Sequence, residues 1–244
     1  MCGRFSLVAR LNTILAQFAA QAREPENYPL FDHYNIAPTT LLPIVRLIER
    51  ERVVSMARWG LIPSWTKIPE SLNKLRAEKG LLEVIKKLKL PLHNNARGET
   101  VKEKPTFRTA FKKRRCIIPA TGFYEWVQDY LPKQPYYFQR RDSQLLAFAG
   151  IWETWQVLDT FSIITGDPNS IMKPIHDRLP VILGPNDYSA WLDPTSEDVS
   201  YMLTPCPSDE LFAFPVSSFV NSSRNQGGKC IEPTEFDLEH ARAG

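Results

Sequence analysis

Twenty prolines are spread along the 244-residue chain, and they limit the length of any regular element that it can form. Proline lacks a backbone N–H and breaks helix interiors, so its frequency favours many turns and short elements. Only eleven glycines accompany these prolines, and a helical bundle is therefore disfavoured. With 43% hydrophobic and 23% charged residues, the chain is apolar enough to fold around a core.

Most apolar segments between the prolines have the length and residue types of β-strands. Strands are predicted at 41–48, 52–59, 115–119, 123–127, 136–140, 145–152, 160–165 and 181–183. Apolar spacing predicts helices at 7–22, 71–90 with a break at Gly80, and 185–192. Because helices and strands do not alternate regularly, a doubly wound parallel sheet is disfavoured. We predict an α+β fold, a single compact domain with a largely antiparallel, barrel-like β core flanked by helices.

Several classes of protein are disfavoured by simple absences in the sequence. No apolar run approaches the roughly 18–20 residues of a membrane span, and the N-terminal segment makes a poor signal peptide. The four cysteines lie far apart and the four histidines are scattered, so we expect free thiols, no metal site and no cofactor. We expect a cytoplasmic monomer that does not bind membranes. The net charge of +3 is small, so an anionic partner must meet a local basic patch.

The second position carries the residue with the most unusual chemistry. A small residue there favours removal of Met1, so we expect the mature chain to begin at Cys2. Its amine and thiol, with ordinary pKa values of about 8 and about 8.5, then both have reactive fractions near neutrality. Such an aminothiol condenses with an aldehyde to an imine and closes a five-membered thiazolidine ring. The alternative is that Cys2 is a small buried hydrophobic residue.

A basic stretch from Arg97 to Arg115 contains eight cationic residues and two glutamates. Phe107 and Phe111 lie within it, and Trp65 lies upstream. Cations that neutralise phosphates and rings that stack on bases are what a positively charged groove for single-stranded DNA requires. The alternative is a solvated charged face with both phenylalanines in the core.

Two further segments carry titratable side chains suited to acid–base chemistry. Glu125 has aromatic and apolar neighbours, and burial there would raise its pKa toward a general acid–base range; an ion pair with an arginine is the alternative. His176 and Arg178 share one face if the chain is extended there. His176 suits a proton donor and Arg178 a phosphate clamp, whereas a purely structural histidine remains open.

Six motifs in this order resemble the SRAP family of abasic-site processing proteins. They are MCGRF at 1–5, YNIAPTT at 34–40, ARWGLIPSW at 57–65, NNARGET at 94–100, KPTFRTAFKKRRCIIPATGFYEW at 104–126 and IHDRLPVIL at 175–183. The resemblance implies one domain over 2–231 with Met1 removed, a longer segment at 66–92, and an acidic C-terminal tail at 232–244. The catalytic residues that it implies are Cys2, Asn95, Glu125 and His176. The DNA-binding residues that we expect with it are Arg4, Asn35, Trp65, Arg97, Thr165 and Arg178.

The function that this resemblance implies is the shielding of abasic sites in single-stranded DNA, strand junctions included, as part of the response to DNA damage. Cys2 would form a covalent, reversible thiazolidine crosslink with the ring-opened sugar, and strand cleavage by β-elimination is a possible side activity. The protein would be nucleoid-associated when bound to DNA. Two alternatives remain: an N-terminal-nucleophile or cysteine protease that uses Cys2 and His176, and a non-catalytic reader of modified bases.

Overall fold

The computed structural model of the chain describes residues 2–23, 28, 30–80, 83–84, 92–127 and 131–236. The strands are β1 (Arg4–Ala9), β2 (Phe31–Ile36), β3 (Leu41–Ile48), β4 (Glu51–Trp59), β5 (Asn95–Arg97), β6 (Arg115–Ala120), β7 (Gly122–Trp126), β8 (Pro135–Arg140), β9 (Leu146–Trp155), β10 (Leu158–Gly166), β11 (Leu179–Pro180) and β12 (Leu211–Pro215). The α-helices with described ends are α1 (Leu11–Phe18), α2 (Asn73–Lys79), α3 (Pro105–Lys113) and α4 (Tyr188–Leu192).

Five of these strands close into a ring. The order is β10–β4–β3–β6–β9, and β9 pairs again with β10. All of these pairings are antiparallel except the short parallel contact between β4 and β10. Because of this closure, each of the five strands has a neighbour on both sides and none is an edge strand. The prediction of an α+β fold with a largely antiparallel, barrel-like core is confirmed.

A second, fully antiparallel sheet has the strand order β12–β8–β7–β1–β2. It shares one hydrophobic core with the barrel. Phe5 from β1 packs edge-on against Trp59 and Phe148 of the barrel, with ring centroids 5.0 and 5.8 Å apart. Phe123 from β7 also contacts Phe148, at 5.8 Å. These ring contacts hold the two sheets together as a single compact domain.

The barrel opens along one edge of β10, and β5 enters there. β4 pairs with β10 only at Thr160 and Phe161. Beyond that point β5 takes over in parallel, with Asn95 opposite Ile163 and Arg97 opposite Thr165. The three residues of β5 are therefore held by β10 beside the end of the barrel.

The other edge of β10 opens at the same end. β9 pairs with β10 as far as Gly150 and Ile163. The chain around Val181 then lies between the two strands, because its N–H donates to Ile164 O at 2.9 Å and its carbonyl accepts from Ala149 N at 2.8 Å. Both insertions follow from the divergence of barrel strands at the C-terminal end of β10, and they bring segments from distant parts of the sequence to that end.

Several predicted elements differ from those in the structure. The helix predicted at 7–22 is wrong over its first turn, because Leu7 and Val8 belong to β1 and the helix covers only 11–18. Leu7 suits both patterns, since alternation with Phe5 also places it in the core. The helix predicted at 71–90 contains α2 and breaks at Gly80 as expected; residues 81–82 and 85–91 lie outside the described residues.

The strand predicted at 181–183 is shifted, since β11 covers 179–180 and only Ile182 forms an isolated bridge. β2, β12 and α3 were not predicted. Of the C-terminal tail, Phe236 packs edge-on against Tyr136 with ring centroids 6.2 Å apart, and residues 237–244 lie outside the described part of the chain. The domain bounds 2–231 and the longer segment 66–92 remain predictions.

Gly122 begins β7, the strand that carries Glu125, and leaves no room for a side chain. A Cβ atom there would lie 2.3 Å from the hydroxyl of Tyr137 and 2.5 Å from the carbonyl oxygen of Phe138. The Tyr137 hydroxyl is also hydrogen bonded to Ser6 Oγ at 2.8 Å, so it cannot move without losing that bond. The close approach of β7 and β8 therefore requires glycine at this position.

We expect Gly122→Ala to lower the free energy of unfolding by about 1–3 kcal/mol, because the added methyl group overpacks the β7–β8 contact. Urea denaturation measures the change. Gly228→Ala is the matched control, since a Cβ atom there meets nothing within 4 Å. Equal stability of the two variants would contradict this account of Gly122.

Candidate active site

An open pocket of about 610 Å³ lies where β7 meets the open end of the barrel. Residues from four separate parts of the chain line it: Arg4, Glu125, Trp126, Lys133, His176 and Asn221. Cys2 adjoins this pocket, because its thiol contacts the backbone oxygen of Arg4 and interacts with the charge of Glu125. Asn95 adjoins it through its hydrogen bond to the carbonyl of Cys2. The four residues expected to be catalytic are therefore close together.

Cys2 is fully buried at the entrance to β1. Its thiol lies 3.9 Å from the backbone oxygen of Arg4, and its own carbonyl accepts a 2.9 Å hydrogen bond from Asn95 Nδ2. Burial raises the pKa of the Cys2 thiol far above its ordinary value, and the nearby charge of Glu125 acts in the same direction. This environment favours the protonated thiol, whereas the ordinary pKa used for the sequence-based expectation applies to an exposed one.

Glu125 lies on β7 with only 3% of its surface exposed. Burial raises its pKa from an ordinary value of 4.5 to about 7, and the charge of Asp177 also raises it. Its Oε2 lies 3.8 Å from His176 Nε2, a distance for electrostatic contact rather than a direct hydrogen bond. At neutral pH this carboxyl group is present in both protonation states, and both general acid and general base chemistry are available to it.

His176 has its two ring nitrogens in different surroundings. Nδ1 accepts a 3.0 Å hydrogen bond from the backbone N–H of Arg178, so in the neutral ring the hydrogen resides on Nε2, which faces Glu125. Asp177 Oδ1 also lies 2.9 Å from Nδ1 and favours a proton there. Burial is the larger influence and lowers the pKa of His176, so the ring is neutral at pH 7.

Arg4 reaches the pocket from β1 and is held by Asn35. Its Nη1 donates to Asn35 Oδ1 at 2.7 Å and to the backbone oxygen of Val220 at 3.2 Å. Asn35 is only 1% exposed, and its Nδ2 donates to the carbonyl of Ser222 at 2.9 Å. In this structure Asn35 orients Arg4, and a direct contact between Asn35 and DNA stays a prediction.

Arg178 is engaged with the protein itself. Its guanidinium donates to both carboxylate oxygens of Glu99, at 2.8 Å for Oε2, and to the backbone oxygen of Thr165 at 2.6 Å. The hydrogen bond from Arg178 lowers the pKa of Glu99 to about 2. Thr165 is buried on β10, so in this structure its carbonyl positions Arg178. A DNA contact from Thr165 stays a prediction.

The two remaining expected DNA contacts are accessible. Arg97 is exposed on β5, next to Thr165. Trp65 is 56% exposed in the turn that follows β4, and no described contact joins it to the four clustered residues. Phe107 and Phe111, in contrast, are 6% exposed and belong to the core, so the interpretation of these rings as a base-stacking surface is wrong.

Sequence reasoning missed several residues of the site. Trp126 donates from Nε1 to Asn221 Oδ1 at 2.7 Å, and Lys133 lines the pocket beside them. The role of Glu99 could not be predicted, because its partner Arg178 is 79 residues away and no spacing pattern connects the two. Trp126 could have been identified from the sequence, since it directly follows Glu125 at the end of the same aromatic segment.

Within the described part of the chain, no group of three or more His, Cys, Asp or Glu side chains is arranged to hold a metal ion. The four cysteines are free and buried. No described helix has the length and apolar character needed to cross a membrane.

The chain is similar to several proteins that have been named for their activity. The chain is 39% identical to the abasic site processing protein YoqW of Bacillus subtilis, over 95% of this chain and 99% of that protein. It is 30% identical to the abasic site processing protein HMCES of Xenopus tropicalis, over 81% of this chain and 65% of that longer protein.

Solved structures give the same picture of the fold. A crystal structure of a protein from Bacteroides thetaiotaomicron superposes with a TM-score of 0.78 at 28% identity, covering 96% of this chain and all of the other. A second, from Bordetella bronchiseptica, gives a TM-score of 0.69 at 26% identity, covering 89% of this chain and all of the other. A sequence model of the SOS response associated peptidase (SRAP) family matches residues 1–223, and the chain belongs to this family.

Proposed function

We propose that this protein processes abasic sites in single-stranded DNA by forming a covalent, reversible thiazolidine crosslink through Cys2. The clustering of Cys2, Asn95, Glu125 and His176 at one pocket carries the proposal. Both the bacterial and the vertebrate relatives are named as abasic site processing proteins, which supports the assignment of the substrate.

The first step joins the α-amine of Cys2, freed by removal of Met1, to the sugar. An abasic sugar is mostly a closed hemiacetal, and the Nε2–H of a neutral His176 is suited to donate a hydrogen bond to the ring oxygen while the proton of the anomeric hydroxyl moves to that oxygen through Glu125 and the aldehyde forms. The unprotonated amine adds to the aldehyde carbon, and the carbinolamine loses water to give an imine. Glu125, with its pKa of about 7, accepts a proton from the amine and returns it to the departing hydroxyl. Asn95 holds the Cys2 carbonyl and so orients the amine.

Ring closure uses the thiol in its protonated form. The sulfur of Cys2 adds to the imine carbon, and the thiol proton moves to the imine nitrogen through Glu125. One C–S bond forms, the C=N double bond becomes single, and the net reaction from amine and aldehyde releases one water. Because the thiol keeps its proton until the imine is present, the amine reacts first and the thiol second.

The same groups operate in reverse. The ring N–H proton moves to sulfur through Glu125 as the C–S bond breaks and the C=N double bond reforms, which regenerates the imine and the free thiol; addition of water then releases the aldehyde and the amine. The imine also acidifies the neighbouring carbon of the sugar, so β-elimination of the 3′ phosphate is available as a minor lyase reaction. A buried thiol that closes the ring quickly limits this cleavage.

DNA is held mainly through its phosphates. Arg4 lines the pocket, Arg97 is exposed on β5 two residues after Asn95, and the exposed ring of Trp65 is available for base stacking. Arg178 is suited to a phosphate as well, once Glu99 is displaced.

We expect Arg97→Ala to weaken binding to a single strand that contains an uncrosslinkable abasic analogue. Loss of one phosphate contact should lower the slope of log K against log salt by about 0.7 or less. Fluorescence anisotropy across a salt series measures both effects. Arg10→Ala, also at an exposed position, is the control and should retain the parental slope. Identical slopes for parent and Arg97→Ala would count against a role for Arg97.

The mature protein, incubated with an abasic single strand, should give a heat-stable adduct whose mass equals the sum of both minus one water. Cys2→Ala keeps the amine and should form only a labile imine that borohydride traps. A retained residue before Cys2 should abolish both products, because an amide nitrogen cannot form the imine. Cys206→Ser is the control and should crosslink normally. Intact-mass spectrometry measures each product, and rapid crosslinking by the N-terminally extended protein would refute the mechanism.

Crosslinking by the parent should slow as pH falls through about 7, because Glu125 then becomes protonated and no longer accepts a proton. Glu125→Gln should lose this inflection and react about 10²–10⁴-fold more slowly at pH 7.5. Single-turnover rates across pH test the assignment. A parental pH profile in Glu125→Gln would remove Glu125 from the mechanism.

Measuring the free energy of unfolding of Glu125→Gln controls for loss of activity through unfolding. A carboxyl whose pKa rises from 4.5 to about 7 on folding is destabilising above pH 7, and the effect disappears below about pH 4.5. Glu125→Gln should therefore gain up to about 3 kcal/mol relative to the parent between pH 4.5 and pH 8. A variant that is more stable yet slower has not lost its activity through unfolding.

A further inference from the structure

A cavity of about 920 Å³ lies along α3, away from the catalytic cluster. Its polar lining comes from α3, the preceding turn and the loop at 194–199, and includes Lys102, Arg108, Thr109, Lys112, Lys113 and Thr195. None of the four clustered catalytic candidates lines it. We call the exposed side of α3 formed by Arg108, Lys112 and Lys113 the α3 face.

Packing fixes the direction of the α3 face. Phe107, Ala110 and Phe111 on the opposite side of the helix are buried in the core. Arg108 and Lys112 are consequently exposed neighbours at i and i+4, a spacing at which two like charges destabilise an isolated helix. The helix dipole offsets this for Lys112 in the last turn but not for Arg108.

The charges around this cavity are not balanced by the acidic side chains described there. Glu197 is the acidic residue in its lining, and Lys102 forms an exposed ion pair with Asp198 at 3.2 Å. Such exposed pairs contribute little to stability and exchange readily. Arg115 serves a structural role, since its buried guanidinium donates to the backbone oxygens of Trp191 and Phe111. The α3 face therefore presents three cations to solvent.

The chemistry of the lining indicates phosphate groups as the ligand. Ammonium and guanidinium groups beside the hydroxyls of Thr109 and Thr195 are the side chains that contact phosphate oxygens. The aromatic ring in this lining, Phe111, is buried, so no described lining residue offers a surface for base stacking. Recognition here reads the backbone of a nucleic acid and not its bases.

The chain connects this face to the proposed DNA site. Arg97 lies at the end of β5, and the turn at 98–104 leads directly into α3. The nine residues of α3 extend the basic surface by about 13 Å. We propose that the α3 face binds the phosphodiester backbone of DNA beyond the abasic site and lengthens the footprint of the protein on the strand. This inference rests on the proposed function, which supplies the DNA.

The test compares two triple variants with the same loss of charge. R108Q/K112Q/K113Q removes the α3 face, and K74Q/R76Q/K79Q removes three exposed cations from α2. Binding is measured with an uncrosslinkable abasic analogue in a strand of about 5 nucleotides and in one about four times longer. We expect the α3 variant to bind the longer strand at least about tenfold more weakly at low salt, with a slope lower by about 2. Its binding to the short strand should equal that of the parent.

Crosslinking of the short strand separates the two proposals. If the parent does not crosslink the short strand, the proposed function is wrong. If the parent and the α3 variant crosslink the short strand equally, the catalytic site is intact, and any difference on the longer strand reports on the length of DNA that the protein contacts. Equal weakening by the α2 and α3 variants on the longer strand would show a net-charge effect and overturn the inference. A competition arm with inorganic phosphate at constant ionic strength tests a small anion as the ligand. The inference would also be overturned if inorganic phosphate weakened DNA binding by the parent but not by the α3 variant, while both proteins bound the longer strand with equal affinity.

Discussion

The hydrogen bonding of β10 to four other strands is the constraint on which the site depends. Closing a barrel of five strands leaves neighbouring strands to diverge at its ends, and around β10 both divergences occur at the same end. The free N–H and C=O groups exposed there must be paired, and the inserted segments at 95–97 and 179–182 pair them. Asn95 and Arg97 lie on one insertion, and His176 and Arg178 immediately precede the other. Asn95 and His176, two of the four residues proposed to be catalytic, are thus positioned by the backbone bonds that complete the barrel. Cys2, in contrast, precedes β1 and Glu125 lies on β7, and both of these strands belong to the second sheet.

Burial then determines the protonation states at this end of the barrel. It is the largest influence on the pKa values of Cys2, Glu125 and His176, raising the first two and lowering the third. Each shift favours the neutral form, as expected where water is displaced by protein. Because the neutral forms are favoured, these groups can exchange protons while little net charge accumulates at the site. That suits a reaction whose intermediates gain and lose protons at one nitrogen.

The sequence permitted a substantial prediction of this fold and part of its site. Strands at 41–48 and 52–59 were recognisable because a charged turn separates two β-rich segments, and they match β3 and β4 closely. β5 was beyond prediction, since three residues have no periodicity and depend on β10 for pairing. The resemblance to a family identified Cys2, Asn95, Glu125 and His176, which the fold does bring together. The supporting role of Asn35 depends on contacts with carbonyls some 190 residues away, which no local pattern reveals.

In the ion pair between Glu99 and Arg178, the Glu99 carboxylate competes with any external anion for the Arg178 guanidinium. A carboxylate tethered beside a guanidinium acts at an effective concentration on the order of millimolar or higher. With its pKa of about 2, Glu99 stays charged at any physiological pH and does not leave by protonation. A free phosphate or nucleotide must outcompete it from dilute solution, whereas a phosphate on a strand already held elsewhere approaches at a comparable effective concentration. If Arg178 binds phosphate as proposed, this competition would favour a polymer over its monomers without any contact to a base.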